Sequence, residues 1–320
     1  MKITVIGCGR WGSFIAYYLD RIGNEVTIGA APEDTAARKF NEERTNGTIR
    51  MPERVPFIFD LKESVKDAET VVFSVPSQSL RMILAGLGKD TMAGKGIILC
   101  MKGLEIETGK RLSEVVADVL PDNRCAVWVG PGHPQEFADG KPNCMVIDSA
   151  DADYRTMLVD SFTGDLIRFY YGEDLIGTEI GAATKNVIGI AAGLLDGLGL
   201  PSLKGALMAR GTREIARLIE AMGGNGMSAY GLCHLGDYEA TVFSKFSHNR
   251  KYGEDFVKGI KFDKLAEGAY TVVALMVLQD KLGIELPICT AVHKIINGGE
   301  DAKETLDSLF SRNITTEFHK

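Results

Sequence analysis

The chain lacks the features that mark several broad classes of protein. Its 320 residues contain no run of about 18 uninterrupted apolar residues, so we expect no membrane-spanning helix and no membrane partner. The formal net charge is −7, which argues against non-specific binding to nucleic acid or to an anionic membrane surface. The first apolar run is too short for the core of a secretory signal, so we expect no signal peptide and a cytoplasmic location.

Cysteine and histidine are few and scattered. The six cysteines form no C-x-x-C pair, and none of the five histidines stands at metal-ligand spacing from them. We therefore expect reduced thiols, in keeping with a cytoplasmic protein, and no metal site.

The first dozen residues carry the clearest motif. Apolar, mostly β-branched residues at 3–6 predict a buried parallel strand that stops at Gly7. Gly7, Gly9 and Gly12 follow in G-x-G-x-x-G spacing, and residues 13–20 are predicted to be helical. Between a strand and a helix, this motif is typical of a turn that binds the pyrophosphate of a dinucleotide. The alternative is a glycine-rich turn without a ligand.

Strand and helix patterns alternate up to about residue 172. Strands are predicted at 25–29, 70–75, 96–101, 125–129, 144–147 and 166–170, and helices at 35–50, 64–69, 80–87 and 112–120. Such alternation predicts an α/β fold with a Rossmann-type doubly wound sheet. Beyond this point almost no strand signal remains, and helices are predicted at 176–198, 203–222, 266–282 and 291–296. We therefore predict a nucleotide-binding domain at 1–172 and an all-α domain at 173–320, packed across a cleft.

The position that often carries an acid for the ribose hydroxyls of NAD has none here. About 20 residues beyond the glycine turn stand Gly29, Ala30 and Ala31. The choice between NAD and NADP therefore stays open. Arg38 and Lys39 lie close enough to suggest a site for a 2′-phosphate, although we favour a solvated helix face.

Two lysines and one loop are candidates for chemistry. Lys102 follows a predicted strand at the edge where such sheets bind ligands, although a solvated loop lysine is the alternative. Lys185 lies in a helix of otherwise apolar or small residues, so it either reaches out from an edge or occupies a site that lowers its pKa; we favour the site. The basic, hydroxyl-rich segment 244–251 suits a phosphate or is a solvated surface loop.

Taken in order, these motifs resemble the soluble NAD(P)-dependent glycerol-3-phosphate dehydrogenases over essentially the whole chain. The segments that carry the resemblance are 7–12, 41–46, 75–77, 102–105, 130–131, 185–188, 210–211, 236–237, 249–250 and 267–268. The resemblance implies reversible reduction of dihydroxyacetone phosphate to sn-glycerol 3-phosphate, with NAD or NADP as cofactor, in support of glycerophospholipid synthesis. It also implies a homodimer formed through the helical domain.

The resemblance further implies roles for individual residues. Lys185 would be the proton donor or acceptor at the substrate oxygen, assisted by Lys102 and Asp237. The implied substrate-binding residues are Lys102, Asn186, Asp237, Thr241, Ser247, His248 and Asn249. The implied cofactor-binding residues are Gly7, Gly9, Arg10, Trp11, Gly12, Pro76, Lys102, Pro134, Arg250 and Glu267.

Three positions depart from the family pattern. His248 stands where the family usually has an arginine for phosphate, Gly132 removes a substrate-binding hydroxyl, and Pro134 removes a backbone donor to the cofactor. One hypothesis is that His248, Arg250 and His133 hold a phosphate together.

Because these departures lie at substrate and cofactor positions, two alternatives stay open. The first is a dehydrogenase of the same scaffold that acts on another small hydroxy compound, phosphorylated or carboxylated. The second is a nucleotide-binding sensor that has lost catalysis, and the presence of Lys102, Lys185 and Asp237 argues against it.

Overall fold

The computed structural model describes residues 1–313, 316 and 317. Its N-terminal part contains one eight-stranded sheet in the order β3-β2-β1-β4-β5-β6-β7-β8. Neighbouring strands are parallel except for the antiparallel pair of β6 and β7. The strands are β1 (Lys2–Ile6), β2 (Glu25–Gly29), β3 (Phe57–Ile58), β4 (Thr70–Phe73), β5 (Gly96–Leu99), β6 (Cys125–Val129), β7 (Asn143–Ser149) and β8 (Ile167–Tyr171).

Apolar side chains cover both faces of this sheet. Val72 and Ile98 pack into one core cluster, whereas their neighbours Val71, Phe73 and Ile97 pack into another. Successive side chains of a strand point to opposite faces, so a continuous apolar run is buried on both sides. This is the arrangement that the near-continuous apolar strands of the sequence predict.

Eight helices flank the sheet, and two of the predicted ones differ from the structure. The helices are α1 (Arg10–Arg21), α2 (Thr35–Glu43), α3 (Leu61–Ser64), α4 (Leu80–Leu87), α5 (Lys89–Met92), α6 (Leu112–Val119), α7 (Pro134–Ala138) and α8 (Ala152–Phe162). The helix predicted at 35–50 ends early because Arg44 adopts a left-handed conformation with φ of 54°. The helix predicted at 64–69 lies earlier because the Asp60 side chain accepts a hydrogen bond from the Glu63 amide and starts the helix there.

The second part of the chain is helical. Its helices are α9 (Leu175–Gly197), α10 (Lys204–Ala221), α11 (His248–Val257), α12 (Glu267–Leu282), α13 (Pro287–Ile296) and α14 (Ala302–Phe310). The predicted domain boundary at residue 172 lies in the connection between β8 and α9. Segment 244–251, predicted as a loop, instead begins α11 because the Ser247 hydroxyl caps the helix by accepting a hydrogen bond from the Arg250 amide.

The small residues of α9 bring α11 unusually close. A β-carbon at Gly193 would lie 1.9 Å from the Arg250 carbonyl oxygen, and one at Gly253 would lie 2.2 Å from the Ile190 carbonyl oxygen. Only glycine permits this backbone contact at both positions. The two helices are thereby fixed together, and the start of α11 is held beside the middle of α9, where Lys185 lies.

Candidate active site

One carboxylate joins two lysines from distant parts of the chain. Asp237 Oδ2 lies 2.6 Å from Lys185 Nζ and 2.7 Å from Lys102 Nζ. Lys102 follows β5 at the carboxyl edge of the sheet, Lys185 lies in the middle of α9, and Asp237 ends a short 3-10 turn. The side chains are 17%, 9% and 1% exposed, respectively. The cluster therefore places two amines and one carboxylate, largely shielded from water, where the two domains meet.

Further hydrogen bonds fix the orientation of the Lys102 and Lys185 amines. Lys102 Nζ also donates to the Gly130 carbonyl at 2.7 Å, in the loop after β6. Lys185 Nζ donates to Thr241 Oγ1 at 2.8 Å, and that hydroxyl donates to the Asp237 carbonyl. Asp237 Oδ1 is buried and has no hydrogen-bond partner among the residues that the structure describes. This free oxygen can accept a hydrogen bond from a substrate hydroxyl, because buried carboxylate oxygens are otherwise paired.

The environment of Lys185 brings its pKa close to neutrality. Burial lowers the pKa to about 7, the carboxylate of Asp237 opposes this decrease, and the charge of Lys102 adds to it. A group with a pKa near the working pH can both donate and accept a proton. Lys185 therefore has the properties of a general acid and base.

A chain of amides fixes the backbone beside Lys102. Asn186 donates to the Lys102 carbonyl at 3.0 Å, and its own side-chain oxygen accepts from Asn249 at 3.0 Å. The side-chain oxygen of Asn249 in turn accepts from the Gly268 amide at 2.9 Å. Asn186 and Asn249 thus connect the sheet edge with α9, α11 and α12. Their direct contact with a substrate stays a prediction.

The glycine turn has the shape that a dinucleotide requires. A β-carbon at Gly7, where φ is 97°, would lie 2.3 Å from the Ser74 carbonyl oxygen, and one at Gly12 would lie 2.0 Å from the Gly7 carbonyl oxygen. A β-carbon at Gly9, by contrast, would meet no atom within 4 Å. Among the residues that the structure describes, no side chain caps the start of α1. Two glycines therefore serve close packing, while the third leaves the backbone and the helix N-terminus open to a pyrophosphate.

Buried polar atoms without partners continue from this turn. Glu267 Oε1 accepts a hydrogen bond from the Ser77 amide at 3.2 Å, next to Pro76. Glu267 Oε2, Ser77 Oγ and Trp11 Nε1 are buried and have no partner among the described residues. Burial raises the pKa of Glu267. Pro134, which begins α7, is buried and contributes no N–H. These unmet donors and acceptors fit the polar edges of a bound nicotinamide dinucleotide.

Comparison with known proteins agrees with this geometry. Models of the N-terminus and the C-terminus of NAD-dependent glycerol-3-phosphate dehydrogenase match residues 2–155 and 174–307. The chain belongs to this family. A glycerol-3-phosphate dehydrogenase (NAD(P)+) of Chlorobium limicola is 35% identical over 327 residues, covering 98% of each chain. One of Rhodospirillum rubrum is 35% identical, covering 98% of this chain and 93% of the relative.

Solved structures show the same architecture. The crystal structure of glycerol-3-phosphate dehydrogenase from Coxiella burnetii has a TM-score of 0.92 at 29% identity, covering 97% of this chain and 99% of that one. D-mandelate dehydrogenase, at 14% identity and a TM-score of 0.66, shares the fold alone. The predicted family, the Rossmann-type sheet followed by a helical domain, the oxidoreductase class and the NAD(P) cofactor are confirmed.

In this member of the family, the Arg250 side chain is bound by residues outside the predicted site. Its guanidinium is 2.8 Å from Asp196, 3.0 Å from Glu254 and 3.2 Å from the Ser244 carbonyl. Asp196 lies 11 residues beyond Lys185 on α9, roughly 16 Å along the helix axis. The structure therefore does not join Arg250 to His133 and His248, because two carboxylates of the helical domain hold its side chain. Its contact with the cofactor stays a prediction.

The basic residues near β2 make local contacts. Arg38 donates to the Pro32 carbonyl at 2.6 and 3.0 Å and lies over the Phe59 ring, while Lys39 forms an exposed pair with Glu43 at 3.7 Å. Neither contact decides between NAD and NADP, so that choice stays open.

A buried network beside Asp237 was not predicted. His234 Nδ1 donates to the Gly181 carbonyl at 2.8 Å, so His234 Nε2 is the acceptor for the Tyr238 hydroxyl at 2.7 Å. Burial lowers the pKa of His234 to about 4, so the imidazole is neutral. The two side chains flank Asp237 in sequence and fix its turn. The contacts of Gly130 and Ser77 were also missed, although the polar turn that contains Ser77 is visible in the sequence.

Metal-ligand clusters and membrane-spanning helices are both absent from residues 1–313, 316 and 317. No group of three or more histidine, cysteine, aspartate or glutamate side chains could hold a metal ion there. No helix in that part of the chain has both the length and the apolar character to cross a membrane.

Proposed function

We propose that this chain catalyses the reversible NAD(P)H-dependent reduction of dihydroxyacetone phosphate to sn-glycerol 3-phosphate, and that it supplies glycerophospholipid synthesis. The observation that carries this proposal is the cluster in which Asp237 binds both Lys102 and Lys185. It provides a proton donor tuned to neutral pH, a second positive charge and a free carboxylate oxygen within one buried site. Family membership supports the substrate, since the named relatives are glycerol-3-phosphate dehydrogenases.

Lys185 supplies the proton. When bound, a reduced nicotinamide supplies the hydride that reduces a carbonyl. The Lys185 ammonium, aimed by Thr241, donates its proton to the carbonyl oxygen and so prevents a free alkoxide from accumulating. In the reverse direction the neutral amine accepts the hydroxyl proton. A pKa of about 7 makes both forms available at physiological pH.

Lys102 and Asp237 control the charge around that proton transfer. Lys102 is held by the Gly130 carbonyl and by Asp237, so its positive charge has a fixed position near the developing negative charge. Asp237 lies between the two amines and offsets their mutual repulsion. Its free Oδ1 is available to a substrate hydroxyl, which would fix the orientation of the carbon skeleton.

One observation favours a second candidate, a small hydroxy compound other than glycerol 3-phosphate. Gly132 has φ of 136°, and a β-carbon there would lie 2.4 Å from the Phe137 ring. The loop after β6 is therefore built without a substrate-binding hydroxyl at this position. A panel of small ketones and keto acids, phosphorylated and not, distinguishes this candidate from the leading one.

The test is a turnover assay with a matched lysine control. The protein is mixed with dihydroxyacetone phosphate and NADH or NADPH, and loss of the reduced nicotinamide absorbance is followed. Lys185→Ala should lower kcat by about 10²- to 10⁴-fold while NADH binding persists. Lys204→Ala removes another buried lysine, paired with Asp196 at 2.7 Å, and should keep kcat within a few-fold of the wild type. Wild-type kinetics for Lys185→Ala would refute the assignment of the proton donor.

We also propose a cytoplasmic homodimer formed through the helical domain. All six cysteines are unpaired, which supports a reducing compartment. Several large apolar side chains of the helical domain are exposed in the single chain, among them Met227, Ile260 and Phe310. Sedimentation velocity should give twice the mass of one chain, and a monomer at micromolar concentration would refute the dimer.

A further inference from the structure

One arginine at the cleft has no carboxylate partner. Arg10 begins α1 directly after Gly9, and its side chain is exposed. Its guanidinium makes no hydrogen bond or ion pair with the residues that the structure describes. The other cations predicted for the site are all paired, since Lys102 and Lys185 share Asp237 and Arg250 is held by Asp196 and Glu254.

Two histidines lie within reach of this charge, one from each domain. His133 precedes α7, and its ring contacts Phe246 of the helical domain with centroids 5.6 Å apart. His248 begins α11, two residues after Phe246. Burial lowers the pKa of both imidazoles, and the positive charge of Arg10 acts on both in the same direction. Trp11, the residue after Arg10, contacts the Phe137 ring of α7 with centroids 6.1 Å apart, which places Arg10 beside the helix that follows His133.

Each imidazole has a nitrogen available to a ligand. His133 Nε2 is buried and has no partner among the described residues. His248 Nδ1 donates to the Leu265 carbonyl at 3.2 Å, which leaves Nε2 for another contact. Lys102 Nζ donates to the Gly130 carbonyl at 2.7 Å, three residues before His133, so this imidazole lies in the loop that adjoins the two lysines.

We infer that Arg10 is the main binding residue for the substrate phosphate, with His133 and His248 as neighbouring hydrogen-bond donors. This inference rests on the proposed function, because it assigns the phosphate end of that substrate. A guanidinium offers a planar pair of N–H donors that matches two phosphate oxygens. The glycine turn thus has a second task here, in which its first helical residue binds the substrate.

The test compares Arg10→Ala with the wild type in substrate and cofactor binding. We expect kcat/KM for dihydroxyacetone phosphate to fall about 10- to 100-fold, mainly through KM, as for loss of a charged hydrogen-bond pair. The dissociation constant of NADH, measured by fluorescence titration, should rise by a smaller factor than KM, because Arg10 follows the turn that also binds the cofactor. Lys264→Ala is the matched control because its charge also acts on His248, and it should change kcat/KM less than about twofold.

A second variant tests whether the phosphate lies between the two positions. His248→Arg, introduced into Arg10→Ala, returns a guanidinium from the opposite side and should recover most of the lost kcat/KM. Wild-type kinetics for Arg10→Ala overturn the inference, and so does a lost kcat/KM that His248→Arg does not recover. Weakened NADH binding with an unchanged KM also overturns it, because Arg10 would then bind the cofactor pyrophosphate alone.

A different experimental result would show that the proposed function itself is wrong. In that case the wild type itself does not reduce dihydroxyacetone phosphate with either cofactor. Titration of the NAD+ complex with inorganic phosphate then tests Arg10 directly. Weaker binding by Arg10→Ala than by the wild type supports the phosphate site, and equal binding refutes it.

Discussion

Replacement of Asp237 by Asn should separate the charge of this residue from its shape. The change keeps the side-chain volume and removes the negative charge 2.6 Å from Lys185 Nζ and 2.7 Å from Lys102 Nζ. That charge opposes the lowering of the Lys185 pKa by burial. A neighbouring opposite charge typically shifts a pKa by about 1 to 3. The Lys185 pKa in Asp237→Asn should therefore fall below its wild-type value of about 7.

The expected loss of activity follows from this shift. At pH 7 about half of the wild-type Lys185 is protonated, whereas a pKa lower by two units leaves about 1% protonated. Reduction requires the ammonium, so its rate at pH 7 should fall about 50-fold, with a range of about 5- to 500-fold for one to three units. A loss of this size is well within the sensitivity of a nicotinamide absorbance assay.

The rates of the two reaction directions depend on pH in opposite ways, and both pH profiles should move to lower pH in this variant. Reduction needs protonated Lys185 and declines as pH rises through its pKa, so in Asp237→Asn this decline moves to lower pH. Oxidation of glycerol 3-phosphate needs the neutral amine and increases as pH rises through the same pKa, so its increase also moves to lower pH. The assay is therefore a pair of kcat/KM profiles across pH, one for each direction.

The control is Asp196→Asn, which makes the same change in a carboxylate that pairs with Lys204 and Arg250 outside the site. It should leave both pH profiles in place even where it lowers stability. Profiles in Asp237→Asn that keep the wild-type midpoints, in a folded protein, would refute the view that Asp237 sets the proton affinity of Lys185.

Four further substitutions test the glycine turn, the proton donor and the buried network. Gly9→Ala should keep the wild-type melting temperature but weaken NADH binding. Gly12→Ala should lower the free energy of unfolding by about 1–3 kcal/mol or more, because its β-carbon would lie 2.0 Å from a backbone oxygen. Thermal melts and fluorescence titrations check both variants, and equal melting temperatures for the two would contradict the packing argument. Thr241→Val should lower kcat about 10- to 100-fold with little change in KM, because Lys185 Nζ loses a hydrogen-bond partner at 2.8 Å. An unchanged kcat would show that Thr241 has no part in the mechanism. Tyr238→Phe should lower the free energy of unfolding by about 1–2 kcal/mol in urea denaturation, because His234 Nε2 loses its buried donor. Wild-type stability would show that the 2.7 Å hydrogen bond between Tyr238 and His234 contributes nothing.

Local chemistry explains which parts of the fold could be predicted. Strands buried on both faces are continuous apolar runs, and the glycine turn has fixed spacing, so β1, β4, β5 and the start of α1 are visible in the sequence. The helix α11 was missed because its sequence, His-Asn-Arg-Lys-Tyr-Gly, is polar and contains glycine. Its stability comes from packing against α9, where Gly253 contacts the Ile190 backbone, and that is a tertiary effect.

The same distinction applies to the site. Lys185 could be singled out because a lysine inside an apolar helix is unusual whatever lies around it. Its association with Asp237 and Lys102 was expected only from the family resemblance. Sequence pattern alone does not predict it, because the latter two are 135 residues apart and meet only through the packing of the two domains. The separation of the Arg250 side chain from His133 and His248 has a similar cause, since proximity in sequence to His248 says nothing about Asp196 at the far end of α9.

The charges of the cluster explain why a further cation is needed for this substrate. With both lysines protonated and Asp237 ionised, the cluster has a formal charge of +1, and half-deprotonation of Lys185 at pH 7 reduces this to about +0.5. A phosphate monoester carries about −1.5 to −2 at the same pH. Within a protein of net charge −7, the cluster alone therefore leaves most of the substrate charge uncompensated. Arg10 adds one full positive charge at the opposite end of the substrate from Lys185, so the site can bind the dianion without diverting the charge of Lys185 from the carbonyl oxygen.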